Sequence, residues 1–142
     1  MNNKQKMIDK ARSLIGVKWR HRGRKDWAVD CIGLLVLSFK AGGYKLNDRT
    51  NYSRDPWNEQ LYKELAHHFG DGLDPSDMQE GDVALMKWDS QKEASHVGII
   101  TKHPDGGFSM IHSYSEISVT EHRIDDLWYN RITCVFRPKW DS

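Results

Sequence analysis

The apolar positions of this chain change their period once, near residue 82. Before it they recur at helical spacing. From about Lys4 to Ile15 the apolar face is Met7, Ala11, Leu14 and Ile15, and Gly16 ends the segment. Cys31, Leu34, Leu35, Ser38 and Phe39 fall at i, i+3, i+4, i+7 and i+8, a second helical stripe that Gly42-Gly43 closes. Trp57 to Phe69 reads as a third helix, with Leu61, Leu65 and Phe69 facing inward. Between these, Val17–Val29 reads as a loop, Gly43–Pro56 as irregular, and Gly70–Gly81 as turn-rich. From Asp82 onward the period is that of strands: Asp82–Trp88, Ser95–Thr101, Phe108–Ser113, Ile117–His122 and Ile132–Arg137, with a short helical piece at Ile124–Tyr129. Pro104-Asp105-Gly106-Gly107 makes a hairpin-like turn between the second and third of them. Helices first and an antiparallel sheet second is an α+β plan.

No internal repeat or low-complexity linker interrupts the 142 residues, so residues 1–142 are expected to form a single domain with its own core. The chain is hydrophilic for a globular protein, yet six tryptophans and five tyrosines supply large units of buried area. A formal net charge of +1 gives no whole-molecule attraction to nucleic acid or to an anionic membrane. No apolar run approaches the length of a membrane span. The start, Met1-Asn2-Asn3-Lys4-Gln5-Lys6, leads into an amphipathic helix and not into a signal segment. The expectation is therefore synthesis in the cytoplasm without a signal peptide. Neither a C-x-x-C pair nor an H-E-x-x-H motif appears, so no metal and no cofactor is expected.

Candidate chemistry begins at Cys31. A cysteine on an apolar stripe is most often a small buried hydrophobe. Here, however, Asp30 is a good N-cap residue, which puts Cys31 in the first helical turn. There the unpaired N–H groups and the helix dipole favour a thiolate, and the same N–H groups can hold an oxyanion. Lys18, Arg20, Arg22, Arg24 and Lys25 make the preceding loop basic, which adds to the expectation of a lowered thiol pKa and suits a substrate bearing carboxylates. In the run Ser95-His96-Val97-Gly98-Ile99-Ile100, His96, Gly98 and Ile100 face one way and Val97 and Ile99 the other. Gly98 leaves space beside the imidazole, room for close approach of an element such as the Cys31 helix. A hairpin through Pro104–Gly107 can bring His112, in Met110-Ile111-His112-Ser113, near His96, with the register left open. A nucleophile, a base on one strand and a polar orienter on the next follow the general logic of a catalytic triad. His21, His67, His68, His103 and His122 lie in loops or on polar faces and read as solvated, and Cys134 as a buried filler of an apolar strand.

These blocks together resemble the NlpC-type cell-wall cysteine endopeptidases, most of all the short, single-domain versions found with tailed phages and prophages. The carriers are Leu14-Ile15-Gly16-Val17-Lys18-Trp19, Asp30-Cys31-Ile32-Gly33-Leu34, Glu80-Gly81-Asp82-Val83-Ala84-Leu85, His96-Val97-Gly98-Ile99 and Met110-Ile111-His112-Ser113, from Ala11 to about Phe136. The resemblance implies a papain-like fold in which Cys31 is nucleophile, His96 general base and His112 the residue that orients it. It implies peptidoglycan stem peptides as substrate, cut between the γ-carboxyl of D-glutamate and the following diamino acid. The substrate-contacting candidates are Trp19, Arg20, His21, Asp30, Ile32 and Ser95. Two positions depart from the family pattern: Ile32 stands where many members have Ser after the cysteine, and Trp19 where they often have Tyr. An aliphatic residue after the cysteine leans toward the phage branch, and so toward tail-tip proteins as partners and delivery to the wall by a virion tail. Two rivals share the fold: acyl transfer or deamidation through the same thioester, and a tail-tip assembly module with weak or no hydrolysis. A nucleic-acid-binding module comes last, because the basic loop is short and no recognition fold is visible.

Overall fold

The structure is a computed structural model, and it describes residues 2–46, 60–88, 94–114 and 117–140. Helix α1 spans Asn3–Ser13, its N-cap Asn2 accepting from the Gln5 N–H. Three two-residue strands follow, β1 (Lys18–Trp19), β2 (Arg24–Lys25) and β3 (Ala28–Val29), and then helix α2 (Cys31–Ala41) and helix α3 (Gln60–Phe69). The second half is β4 (Val83–Met86), β5 (His96–Lys102), β6 (Phe108–Ser113), β7 (Val119–Arg123), the short helix α4 (Asp126–Arg131) and β8 (Ile132–Phe136). These five strands form one antiparallel sheet in the order β7-β6-β5-β4-β8. The α+β plan read from the periodicity is the one observed.

The sheet is buried on both faces, so β4 reads as an unbroken apolar run instead of an alternation. Val83, Leu85, Val97, Ile99, Ile111 and Phe136 pack toward the helices, against Met7, Ile8, Leu34, Leu35 and Phe39. Their neighbours Ala84, Met86, Ile100, Met110 and Val135 pack on the opposite face, beneath Trp128 of α4. Full burial of each such side chain stabilises the fold by about 1.5–3 kcal/mol. At one end of the helical layer Phe39 stacks on Trp140 at 5.3 Å and touches Tyr44 and Phe69.

Two details differ from the sequence reading. Ile15 is 46% exposed and Ile8 takes its place in the core, because α1 ends at Ser13 and its inward stripe is Met7, Ile8, Ala11 and Leu14. The segment Val17–Val29 is not a plain loop. β1 runs parallel to β3, and β2 antiparallel to it, in a three-stranded ribbon that delivers the chain to Cys31. Leu61, Leu65 and Phe69 face inward as expected. The predicted start of that helix at Trp57, and most of the irregular stretch Gly43–Pro56, lie outside the described residues.

Candidate active site

Cys31 stands where β3 hands over to α2. Asp30, extended at φ −92, caps the helix by accepting from the Gly33 N–H at 2.7 Å. The same carboxylate accepts from Arg24 Nη1 at 3.0 Å and from the Arg22 N–H at 2.9 Å. Arg22 sits at φ +62, a conformation that costs a non-glycine residue roughly 1–2 kcal/mol. Its bond to Asp30 offsets that cost. Glycine is required where the ribbon meets the helix: a Cβ on Gly33 would lie 2.0 Å from the Gly23 carbonyl oxygen. On the other side Ser113 Oγ donates to the Val29 carbonyl at 2.8 Å, tying the handover to β6.

This arrangement changes the electrostatics expected of the thiol. The Cys31 thiol is pushed up to about 12, by burial first and the Asp30 carboxylate second. Hydrogen bonds from the Val97 and Ile32 backbone N–H groups and the charge of Arg24 pull the other way and lose. The reading of Cys31 as a thiolate stabilised by the helix dipole is thereby corrected. A dipole contributes about 0.3–1 kcal/mol, less than the desolvation of a sulfur anion wedged against a sheet. The resting group is a thiol.

Helix α2 packs on β5, with Cys31 against the cluster that holds Val97, one residue from His96. His96 is 5% exposed and its Nε2 lies 2.8 Å from His112 Nδ1. The register explains how. β5 and β6 pair as Ile99↔Ile111 and Ile100↔Met110, so one step further His112 lies across from Gly98, diagonal to His96. A Cβ on Gly98 would be 3.3 Å from His112 Cβ and 3.2 Å from Met86 Cε. The space at Gly98 therefore serves His112 and Met86, not the Cys31 helix as the sequence suggested. Burial holds His96 down to about 4 and, with His96 and His122 adding to it, His112 down to about 2. Both rings are neutral.

His122, read from the sequence as solvated, belongs to the same row. Its Nε2 lies 2.7 Å from His112 Nε2, and its Nδ1 lies 2.9 Å from the Arg123 carbonyl oxygen. An aromatic wall encloses the three rings. Trp128 lies 4.9 Å from His112 and 4.8 Å from His122, Trp88 lies 5.1 Å from His96, and Tyr114 lies 5.6 Å from His112. Arg131 stacks on the indoles of Trp128 and Trp88 at 4.7 and 5.3 Å. Sequence reasoning missed His122, Trp88, Tyr114, Trp128 and Arg131. The strand period offered one signal: continued across β7, it puts His122 on the face that carries His112 and Met110.

The other candidates are in different states. Trp19 pairs with Val29 across the ribbon, the Arg20 N–H donates to the Val29 carbonyl, and the Trp19 and His21 rings lie 6.5 Å apart. Arg20 is exposed, while Ile32, His21 and Ser95 are half-buried. Asp30 is buried at 4% exposure, and its oxygens serve the ribbon and the helix. Cys134 is half-buried on β8, against Gly72. Among the described residues no three His, Cys, Asp or Glu side chains are grouped to hold a metal ion. The 2.7–2.8 Å spacings between imidazole nitrogens are those of hydrogen bonds, since zinc at about 2.0–2.1 Å from each would part them further.

The chain matches the family model NlpC/P60 over residues 16–137. The chain belongs to the NlpC/P60 family. Solved NlpC/P60 structures share its papain-like α+β fold. NlpC1 from Trichomonas vaginalis superposes with a TM-score of 0.71 at 16% identity, over 99% of this chain and 45% of that one. The NlpC/P60 domain of the peptidoglycan hydrolase SagA gives 0.67 at 18% identity, over 94% and 97%. RipD from Mycobacterium tuberculosis, a non-catalytic NlpC/P60 protein adapted to peptidoglycan binding, gives 0.61 at 18% identity, over 96% and 98%. The chain spans less than half of several of these relatives, 41% of one from Staphylococcus aureus and 39% of one from Bacillus cereus. No curated protein sequence matches it. Among the described residues no helix is long and apolar enough to cross a membrane.

Proposed function

We propose that this NlpC/P60 chain is one peptidase domain, a cysteine endopeptidase of peptidoglycan stem peptides. The observation that carries the reading is the position of Cys31, at the start of a helix packed on β5, the strand whose His96 is hydrogen-bonded to His112. With Nε2 committed to His112, His96 has Nδ1 left to act as base. Because the thiol is held up to about 12 and the imidazole down to about 4, proton transfer accompanies attack and does not precede it. Sγ attacks the amide carbonyl as His96 Nδ1 takes its proton. The backbone N–H of Cys31, at the helix start, serves the oxyanion. The imidazolium then returns the proton to the leaving amine, giving a thioester that water hydrolyses.

The bond cut is the one from the D-glutamate γ-carboxyl to the diamino acid. The basic ribbon supports this: exposed Arg20 beside Trp19 and His21 offers charge and an aromatic face to a stem carboxylate, with Ile32 and Ser95 lining the approach. Asp30 acts through Arg24 and the helix cap. A phage or prophage tail is the setting, with tail-tip proteins as partners, supported by the aliphatic Ile32 after the cysteine. The test is mass spectrometry of defined stem peptides and whole peptidoglycan after incubation with wild type and with Cys31→Ala. Cleavage at the γ-glutamyl bond by wild type alone is expected. A folded wild type that binds the wall and cuts nothing would overturn it and favour a binding role of the kind RipD has.

A further inference from the structure

The three imidazoles form a row across neighbouring strands of one sheet face. His112 lies diagonal to His96 across β5 and β6, and His122 diagonal to His112 across β6 and β7, where His112 pairs with Thr120 and Met110 with His122. The peptidase reading needs only the first two. The third decides which way the hydrogen bonds run.

That direction is set at the outer end. A carbonyl oxygen only accepts, so the 2.9 Å contact from His122 Nδ1 to the Arg123 oxygen places a proton on Nδ1. In a neutral His122, Nε2 is then the acceptor. His112 Nε2, 2.7 Å away, carries the proton of that bond, and His112 Nδ1 keeps its lone pair. The step repeats: His96 Nε2 donates into the 2.8 Å bond to His112 Nδ1. What remains on His96 is a bare Nδ1. Were the row reversed, His122 would be an imidazolium and His96 would hold its proton on Nδ1, unable to accept one from the thiol.

We propose that His122 is a positioning residue: anchored on the Arg123 carbonyl, it fixes the tautomers of His112 and His96 in series and so keeps His96 Nδ1 free for the Cys31 proton. The inference rests on the peptidase reading of the same site, but its first readout does not. In 15N-histidine-labelled protein, long-range proton–nitrogen correlation spectra report which nitrogen of each ring is protonated. Wild type is expected to show Nδ1–H for His122 and Nε2–H for His112 and His96. His122→Phe, which keeps the aromatic contact with Trp128 and removes the acceptor, should give mixed tautomers at His112 and His96. Its kcat on a stem peptide should fall about ten- to a hundredfold, the range for lost outer partners of functional histidines, with KM within twofold. His122→Gln, whose amide oxygen reaches the position of Nε2, should restore both. A wild-type His96 protonated on Nδ1 would overturn the proposal, and so would a His122→Phe protein with unchanged tautomers and kcat. If His122→Phe does not fold, the wild-type spectrum and the glutamine variant decide. The expected spectrum in a wild type that cuts no peptide would leave the row standing and sink the peptidase reading instead.

Discussion

Replacing Asp30 by Ala tests how Cys31 is held, because two consequences run in opposite directions. The carboxylate is almost fully buried and accepts from the Gly33 N–H, from Arg24 and from the Arg22 N–H. Losing an N-cap costs about 1 kcal/mol. Removing one partner of a buried ion pair costs about 3–5 kcal/mol, and Arg24 keeps its 3.0 Å bond to the Gly23 carbonyl. The Arg24 side chain is 13% exposed, so about 2–3 kcal/mol is the fitting share, and the total is about 3–4 kcal/mol. Urea unfolding followed by tryptophan fluorescence would read this as a lower midpoint at unchanged slope. Adding Arg24→Met should recover about 2 kcal/mol, since the charge that Asp30 balanced disappears as well. The Cys31 thiol should at the same time become more acidic, because Asp30 is the second cause of its raised pKa. Iodoacetamide should then modify the Asp30→Ala protein faster at pH 8 than wild type. A stability loss below about 1 kcal/mol, or a double variant no more stable than the single one, would refute the reasoning.

Further outcomes follow from the same geometry. Gly33→Ala should lower stability by about 1–3 kcal/mol and displace the ribbon, since its Cβ would meet the Gly23 carbonyl at 2.0 Å; an unchanged midpoint would contradict that contact. In wild type the rate of Cys31 alkylation should keep rising through pH 10, given a thiol held up to about 12, and a plateau between pH 7 and 8 would mean a resting ion pair. Stability should fall on acidification, because the folded pKa values of His96 and His112 are depressed to about 4 and about 2 while the unfolded chain binds protons near 6.5. The contribution of these buried neutral rings is whole above about pH 6.5. It shrinks as pH drops from there to 4 for His96 and on toward 2 for His112; a urea midpoint that is flat between pH 7 and 5 would argue against it. Arg137→Met should cost about 3 kcal/mol, leaving the buried Asp82 carboxylate without the two-pronged partner that now donates at 3.2 and 3.0 Å; thermal unfolding reads it.

The order of helices and strands, the α+β plan and the place of Cys31 were legible in the sequence because they are local. They depend on the period of apolar residues, on a capping Asp and on turn glycines, all within a few positions of one another. Register was not legible. That His112 lies diagonal to His96, and that Gly98 makes room for it and not for the helix, follows from which strand edges meet. The same holds for His122, polar by composition and solvated by default, which joins the row only because β7 pairs with β6 at one offset. The thiol is the clearest case. A helix N-terminus lowers a cysteine pKa by a local field that sequence reveals. Burial against β5 raises it, more than the neighbouring Asp30 carboxylate does, and that burial comes from the whole fold. Local pattern specifies which groups this protein carries and the elements that present them. Their burial and their spacing come from the assembled fold, because desolvation and strand register are sums over distant parts of the chain.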